Sequence, residues 1–157
     1  MSNQHIFNDD YVEFFEALNK GNVEYILIGG YSVILHGYPR TTGDLDIWVR
    51  RTDDNYNNLL RTFGFFGLQV FDMTLANFLN VEEFDVFRFG RLPMAIDIIT
   101  SIKGLTFEQA YPRVIKKEYQ GVAINYISYE DLITAKLASG RPRDINDIQN
   151  LEERKKK

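Results

Sequence analysis

Residues 25–49 read YILIGGYSVILHGYPRTTGDLDIWV, and the way this stretch divides decides the fold. The apolar run that starts at Val23 and ends at Ile28 has the length of a buried strand, and it stops abruptly at Gly29-Gly30. YSVILHG then predicts a short helix opening on the glycine pair, and YPRTTG a loop fixed in part by Pro39. DLDIWV alternates, so Asp44 and Asp46 share one face of a strand while Leu45 and Ile47 share the other. Strand, helix and strand in close succession predict an α/β (α+β) fold with a mixed sheet.

The flanking sequence supports that division. Asn8 is placed to cap a helix, Asp9 and Asp10 favour its positive end, and Tyr11, Phe14, Phe15 and Leu18 recur at helical spacing before Gly21. TDDNYNNLLRTFG predicts a capped helix ending at Gly64, whereas residues 65–80 fit neither period. EFDVFRFG and LPMAIDIIT predict a strand pair turning through Gly90 to Pro93, and VAINYIS predicts another strand. Ser128 caps a helix over YEDLITAKLASG, and RPRDINDIQNLEERKKK resumes helix after a proline break. No repeat or linker divides the chain, so one domain is expected over 1–157, with its core at 22–151 and a fraying tail at 152–157.

Composition narrows the function classes. With 45% hydrophobic residues and 12 Phe, a chain of 157 residues can build a sizeable core. A net charge of −4 supplies no global field for nucleic acid, so contact with RNA or DNA needs a local patch. The absence of cysteine excludes disulfides, thiolate zinc sites and a cysteine nucleophile, and it suits a reducing compartment. The polar, acidic start lacks the pattern of a signal peptide, and the apolar run ending at Leu35 is too short to span a bilayer. A cytoplasmic protein without membrane association is expected.

Three features carry chemistry. Gly29-Gly30 lets a backbone approach a ligand, and Ser32 in the following turn offers a hydroxyl to a phosphate oxygen. Many strand–helix turns use glycine without binding anything, and the spacing matches neither a dinucleotide fingerprint nor a Gly-Lys-Ser phosphate loop. Asp44 and Asp46 are disfavoured strand residues that repel each other on one face, an arrangement explained by a shared hard cation. Asp97 stands inside the apolar strand MAIDIIT, where a charge must be paired or must bind metal. A salt bridge in the core is the alternative for Asp97 alone. Taken together, the three acids find one explanation as a three-carboxylate metal site. Facing one another without metal, they predict a raised pKa for at least one and a gain in stability for Asp97→Asn.

The segments LIGGYSVILHG, RTTGDLDIWV and AIDIIT resemble, in order and combination, the glycine-pair, Asp-x-Asp and third-acid motifs of the polymerase-beta-like nucleotidyltransferase superfamily. GGYSVILHGYPRTTGDLDI is most similar to its minimal bacterial branch, the group containing AbiEii-type toxins, and DLITAKLASGRPRDINDI is similar to the last motif of that branch. The resemblance covers about residues 25–151 and implies a small nucleotidyltransferase domain with helices mainly on one side of the sheet.

By that resemblance Asp44, Asp46 and Asp97 are catalytic ligands of Mg2+ or Mn2+, and Gly29, Gly30 and Ser32 cradle a nucleoside triphosphate. The implied reaction moves a nucleoside monophosphate to a hydroxyl on an RNA end such as tRNA, a protein side chain or a small molecule. A weakly catalytic or non-enzymatic role in a toxin–antitoxin pair, acting through protein–protein binding, is the rival; in the enzymatic reading a partner chain or a homodimer is expected to supply the acceptor surface. Arg40 either neutralises phosphate or is a loop arginine, and Lys136 either reaches the triphosphate or lies exposed on its helix. Arg143, Asp144 and Asp147 fit helix-capping ion pairs better than chemistry, and His36 fits a packed helix position.

Overall fold

The computed structural model describes residues 5–91 and 93–156. Leu92, in the expected Gly90–Pro93 turn, and Lys157, at the end of the expected tail, lie outside them, as do residues 1–4. Helix α1 (Asp9–Lys20) begins where Asn8 accepts the backbone N–H of Tyr11 at 2.8 Å, and it buries Tyr11, Phe14, Phe15 and Leu18. Strand β1 (Tyr25–Ile28) runs into α2 (Gly29–Leu35), followed by β2 (Asp44–Val49) and α3 (Asp53–Phe66). After α4 (Leu75–Leu79) come the hairpin of β3 (Val86–Arg91) and β4 (Met94–Ile99), then α5 (Phe107–Ala110). Strands β5 (Ile115–Tyr119) and β6 (Val122–Tyr126) lead to α6 (Tyr129–Ser139) and α7 (Pro142–Lys155).

The six strands form one sheet in the order β3-β4-β2-β1-β6-β5. β2 runs parallel to β4 and antiparallel to β1, while β1 and β6 are parallel, so the sheet is mixed as expected. Alternation along the strands divides the core. Tyr25, Leu27, Ile47, Ile96 and Ile98 point into a large cluster with Phe14, Leu18, Leu59 and Phe63 of α1 and α3. There the Phe63 and Phe89 rings meet edge to face, with centroids 4.8 Å apart. Ile26 and Trp48 point the other way, into a smaller cluster with Phe107, Leu132 and Leu151. The helices therefore flank both faces, with the larger cluster under α1 and α3. Among the described residues no helix is long and apolar enough to cross a membrane.

Several boundaries differ from expectation. Helix α3 passes through Gly64 and ends at Gly67, whose left-handed backbone (φ 89°) closes the last turn. Residues 65–80 finish α3 and then form α4, which is capped by Thr74. Strand β5 was not foreseen. Helix α7 runs to Lys155, whose Nζ lies 4.0 Å from the centre of the Tyr129 ring.

Candidate active site

The second face of the sheet carries the acids. In the parallel β2–β4 pair Asp46 stands opposite Asp97, and on the other side of β2 it stands opposite Ile28 at the end of β1. Asp44 lies two positions earlier on β2 and so on the same face. Tyr11 of α1 braces both strand starts. Its hydroxyl lies 2.8 Å from the Gly43 carbonyl and 2.9 Å from the Ala95 carbonyl, and it accepts the Ala95 N–H at 3.1 Å. Burial pushes the Tyr11 phenol up to about 12, so it stays protonated in this role.

Asp97 is paired. The Arg88 guanidinium donates from Nε to Oδ1 at 2.8 Å and from Nη2 to Oδ2 at 2.9 Å, and Nη2 also reaches Asp44 Oδ2 at 3.4 Å. The salt-bridge alternative for Asp97 is thus the arrangement present, and a gain in stability on replacing this acid is no longer expected. Asp46 carries the repulsion instead. Its carboxyl is pushed up to about 7, first by burial and then by Asp97 and Asp44.

Cations face these acids across a cavity of about 530 Å³, within the range of small-ligand sites. Arg40 and Lys136 both line it and are both held by Asp147 of α7. Lys136 is not an exposed helix residue: it is buried, with Nζ 3.1 Å from Asp144 and 3.0 Å from Asp147. Asp144 also accepts the Arg141 backbone N–H at the start of α7 and the Arg141 side chain, so the ion-pair reading of this segment holds in part. Burial opposes ionisation of Asp144, but Arg141 and Lys136 together hold its carboxyl below the usual range. Arg143 lines the same cavity, makes no ion pair among the described residues, and its field acts on Asp46.

The glycine pair works differently from expectation. Gly29 and Gly30 line the cavity, yet a Cβ on Gly29 (φ +73°) would strike the Asp46 carboxylate, and one on Gly30 would strike the Thr42 hydroxyl. The missing side chains make room for site residues of this chain. Ser32 is fully buried and donates to the Gly29 carbonyl at 2.7 Å, so its hydroxyl braces the turn and does not face the cavity. His36 is packed, with Nε2 2.7 Å from the Ile127 carbonyl, and burial lowers its pKa.

Whether the acids suit a metal follows from these contacts. Among the described residues no three His, Cys, Asp or Glu side chains gather closely enough to hold an ion unaided. Asp44 and Asp46 nevertheless offer oxygen donors, and Asp46 makes no ion pair among the described residues. Magnesium commonly takes one or two carboxylates and completes its shell with phosphates and water. The residues present fit a hard divalent ion bound together with a nucleotide, with Asp44 and Asp46 as the available ligands.

The crystal structure of a Thermotoga maritima protein assigned as a nucleotidyltransferase has the same fold, with a TM-score of 0.52 at 15% identity over 90% of this chain and 89% of that one. The likeness is one of fold, the mixed sheet and its flanking helices. Residues 10–155 match the family described as nucleotidyltransferase of unknown function (DUF6036), and the chain belongs to that family. The sequence matches no curated protein.

Proposed function

We propose that the protein transfers a nucleoside monophosphate from a nucleoside triphosphate to a hydroxyl acceptor, releasing pyrophosphate, with Mg2+ or Mn2+ bound at Asp44 and Asp46. The carrying observation is the division of one cavity into an acidic sheet face and a cationic side formed by Arg40, Lys136 and Arg143. Triphosphate binding needs both, because phosphates are anchored by cations and by metal held on carboxylates. The bound ion would supply Lewis-acid polarisation of the phosphates and of the acceptor hydroxyl. Lys136, fixed between two buried aspartates, presents a point charge of defined position. Arg40, oriented by Asp147, adds a second phosphate contact, while Gly29 and Gly30 keep the turn open beside Asp46. Asp97, once free of Arg88, can accept the proton of the attacking hydroxyl.

The test is incubation of purified protein with Mg2+ or Mn2+, each α-labelled nucleoside triphosphate and total cell extract. Labelled product is expected from the wild type and none from Asp46→Asn. Nuclease and protease digestion then separate an RNA end such as tRNA from a protein side chain, and a small acceptor resists both. No labelled product from any nucleotide would overturn the reading.

A second reading follows the AbiEii-like resemblance: a toxin–antitoxin partner, or a homodimer, acting through protein contact. Phe65 in the last turn of α3 and Phe71 after it, 49% and 69% exposed, favour it. Purification of the native complex separates the two, since a partner that binds Phe71→Ser equally well would remove its support.

A further inference from the structure

In the reaction as drawn above, Arg88 has only to leave Asp97. It stands on the edge strand β3, opposite Asp97 in the β3–β4 pair, and its fork takes both oxygens of that carboxylate at 2.8 and 2.9 Å. The two partners differ in freedom. The Asp97 side chain is 8% exposed, whereas that of Arg88 is 65% exposed. An exposed arginine regains water easily when it leaves a pair, so its departure costs little. A buried carboxylate has no such exchange and needs a counter-charge at all times. The acid is therefore the fixed member of the pair and the guanidinium the exchangeable one. The 3.4 Å contact from Nη2 to Asp44 extends the same clamp to a residue with an oxygen donor suited to a hard cation.

We infer that Arg88 is an internal counter-cation that competes with a divalent metal for Asp97 and Asp44, and that metal loading moves its guanidinium off these carboxylates. The inference rests on the proposed metal reading of this site. A guanidinium fork and a hard cation both bind through carboxylate oxygens, so full engagement of one weakens the other. In the metal-free protein the clamp keeps the acidic face from repelling itself apart. It also sets a threshold, because a metal must outcompete a tethered cation before it can use Asp97.

Calorimetric titration with Mn2+ alone tests this on the wild type, Arg88→Ala and Arg88→Lys. Arg88→Ala should bind Mn2+ roughly tenfold more tightly, since a competitor has been removed. Arg88→Lys keeps the charge without the fork and should fall between the two. Equal affinity in all three proteins overturns the inference and leaves the metal site standing. Weaker binding by Arg88→Ala also overturns it, because Arg88 would then be positioning the acids. Absence of Mn2+ binding in all three, even with a nucleoside triphosphate added, overturns the inference and the metal reading together. If Arg88→Ala does not fold, Arg88→Gln, which keeps the stem and a hydrogen-bond donor, carries the same comparison.

Discussion

Arg40 and Asp147 stand 107 residues apart in sequence and meet in a two-point fork, Nε to Oδ1 at 2.9 Å and Nη2 to Oδ2 at 3.0 Å. This contact fastens the loop before β2 to α7. With Lys136 on the same carboxylate, one fully buried aspartate orders two cations of the cavity.

Asp147→Asn should consequently be among the most damaging single changes. It leaves Lys136 buried with one anion fewer and releases the Arg40 fork. Breaking a buried pair from one side costs about 3 kcal/mol, which at this chain length lowers Tm by roughly 6–12 °C. Thermal melts decide it, and a melting point within a degree of wild type would remove Asp147 from its organising role.

Gly29→Ala should disrupt the site, whereas Gly67→Ala should not. Both glycines have positive φ, so both pay left-handed strain of about 1 kcal/mol. Only at Gly29 does the added methyl meet the Asp46 carboxylate, since nothing lies near a Cβ at Gly67. Nucleotide affinity measured beside Tm separates the two effects: Gly67→Ala should lose stability alone and Gly29→Ala should lose both.

Burial first, and then Asp97 and Asp44, push the Asp46 carboxyl up from the ordinary 3.8 to about 7 in the folded protein. The folded state thus holds a proton that the unfolded chain releases as pH rises from 4 to 7. The stability this gives is complete below about pH 4 and is lost by about pH 7. In metal-free buffer Asp46→Asn escapes the loss, about 4 kcal/mol for a rise from 3.8 to about 7. Its Tm advantage over wild type should therefore grow between pH 4.5 and pH 8, and a constant difference would show that Asp46 ionises normally.

Tyr11→Phe should loosen the acidic face from beneath. The hydroxyl serves the Gly43 and Ala95 carbonyls and the Ala95 N–H, at the starts of the strands that carry Asp44, Asp46 and Asp97. Losing it leaves buried backbone groups unpaired, at a cost of about 1–3 kcal/mol. Hydrogen exchange at the Ala95 amide should accelerate, and unchanged protection there would count against the brace.

The acidic face was legible because strand period is rigid. DLDIWV and AIDII each place their acids by parity, and pairing Asp46 with Asp97 needed only parallel neighbours. Arg88 was hidden although VFRFG places it by the same parity, because its meaning depends on which strand lies beside β3. Strand β5 escaped because its middle residues, Lys116, Lys117 and Glu118, are exposed at a sheet edge and show no apolar alternation. Lys136 and Asp147 are likewise unreadable in isolation: a lone lysine and aspartates on helices usually face solvent, and only the packing of α6 on α7 buries them. Ser32 misled because a hydroxyl after a glycine pair suits an anion as well as it suits the Gly29 carbonyl.

The Arg40–Asp147 fork also bears on synthesis. A chain leaving the ribosome presents Asp44, Asp46 and Asp97 well before α6 and α7 exist, at about 5–20 residues per second. During that interval the acidic face has Arg88 as its nearby partner, while Arg40 has no Asp147 to orient it. On the proposed reading, nucleotide is gripped only after the last helix has emerged and docked, so an unfinished chain holds the acids of the site without an ordered cationic side.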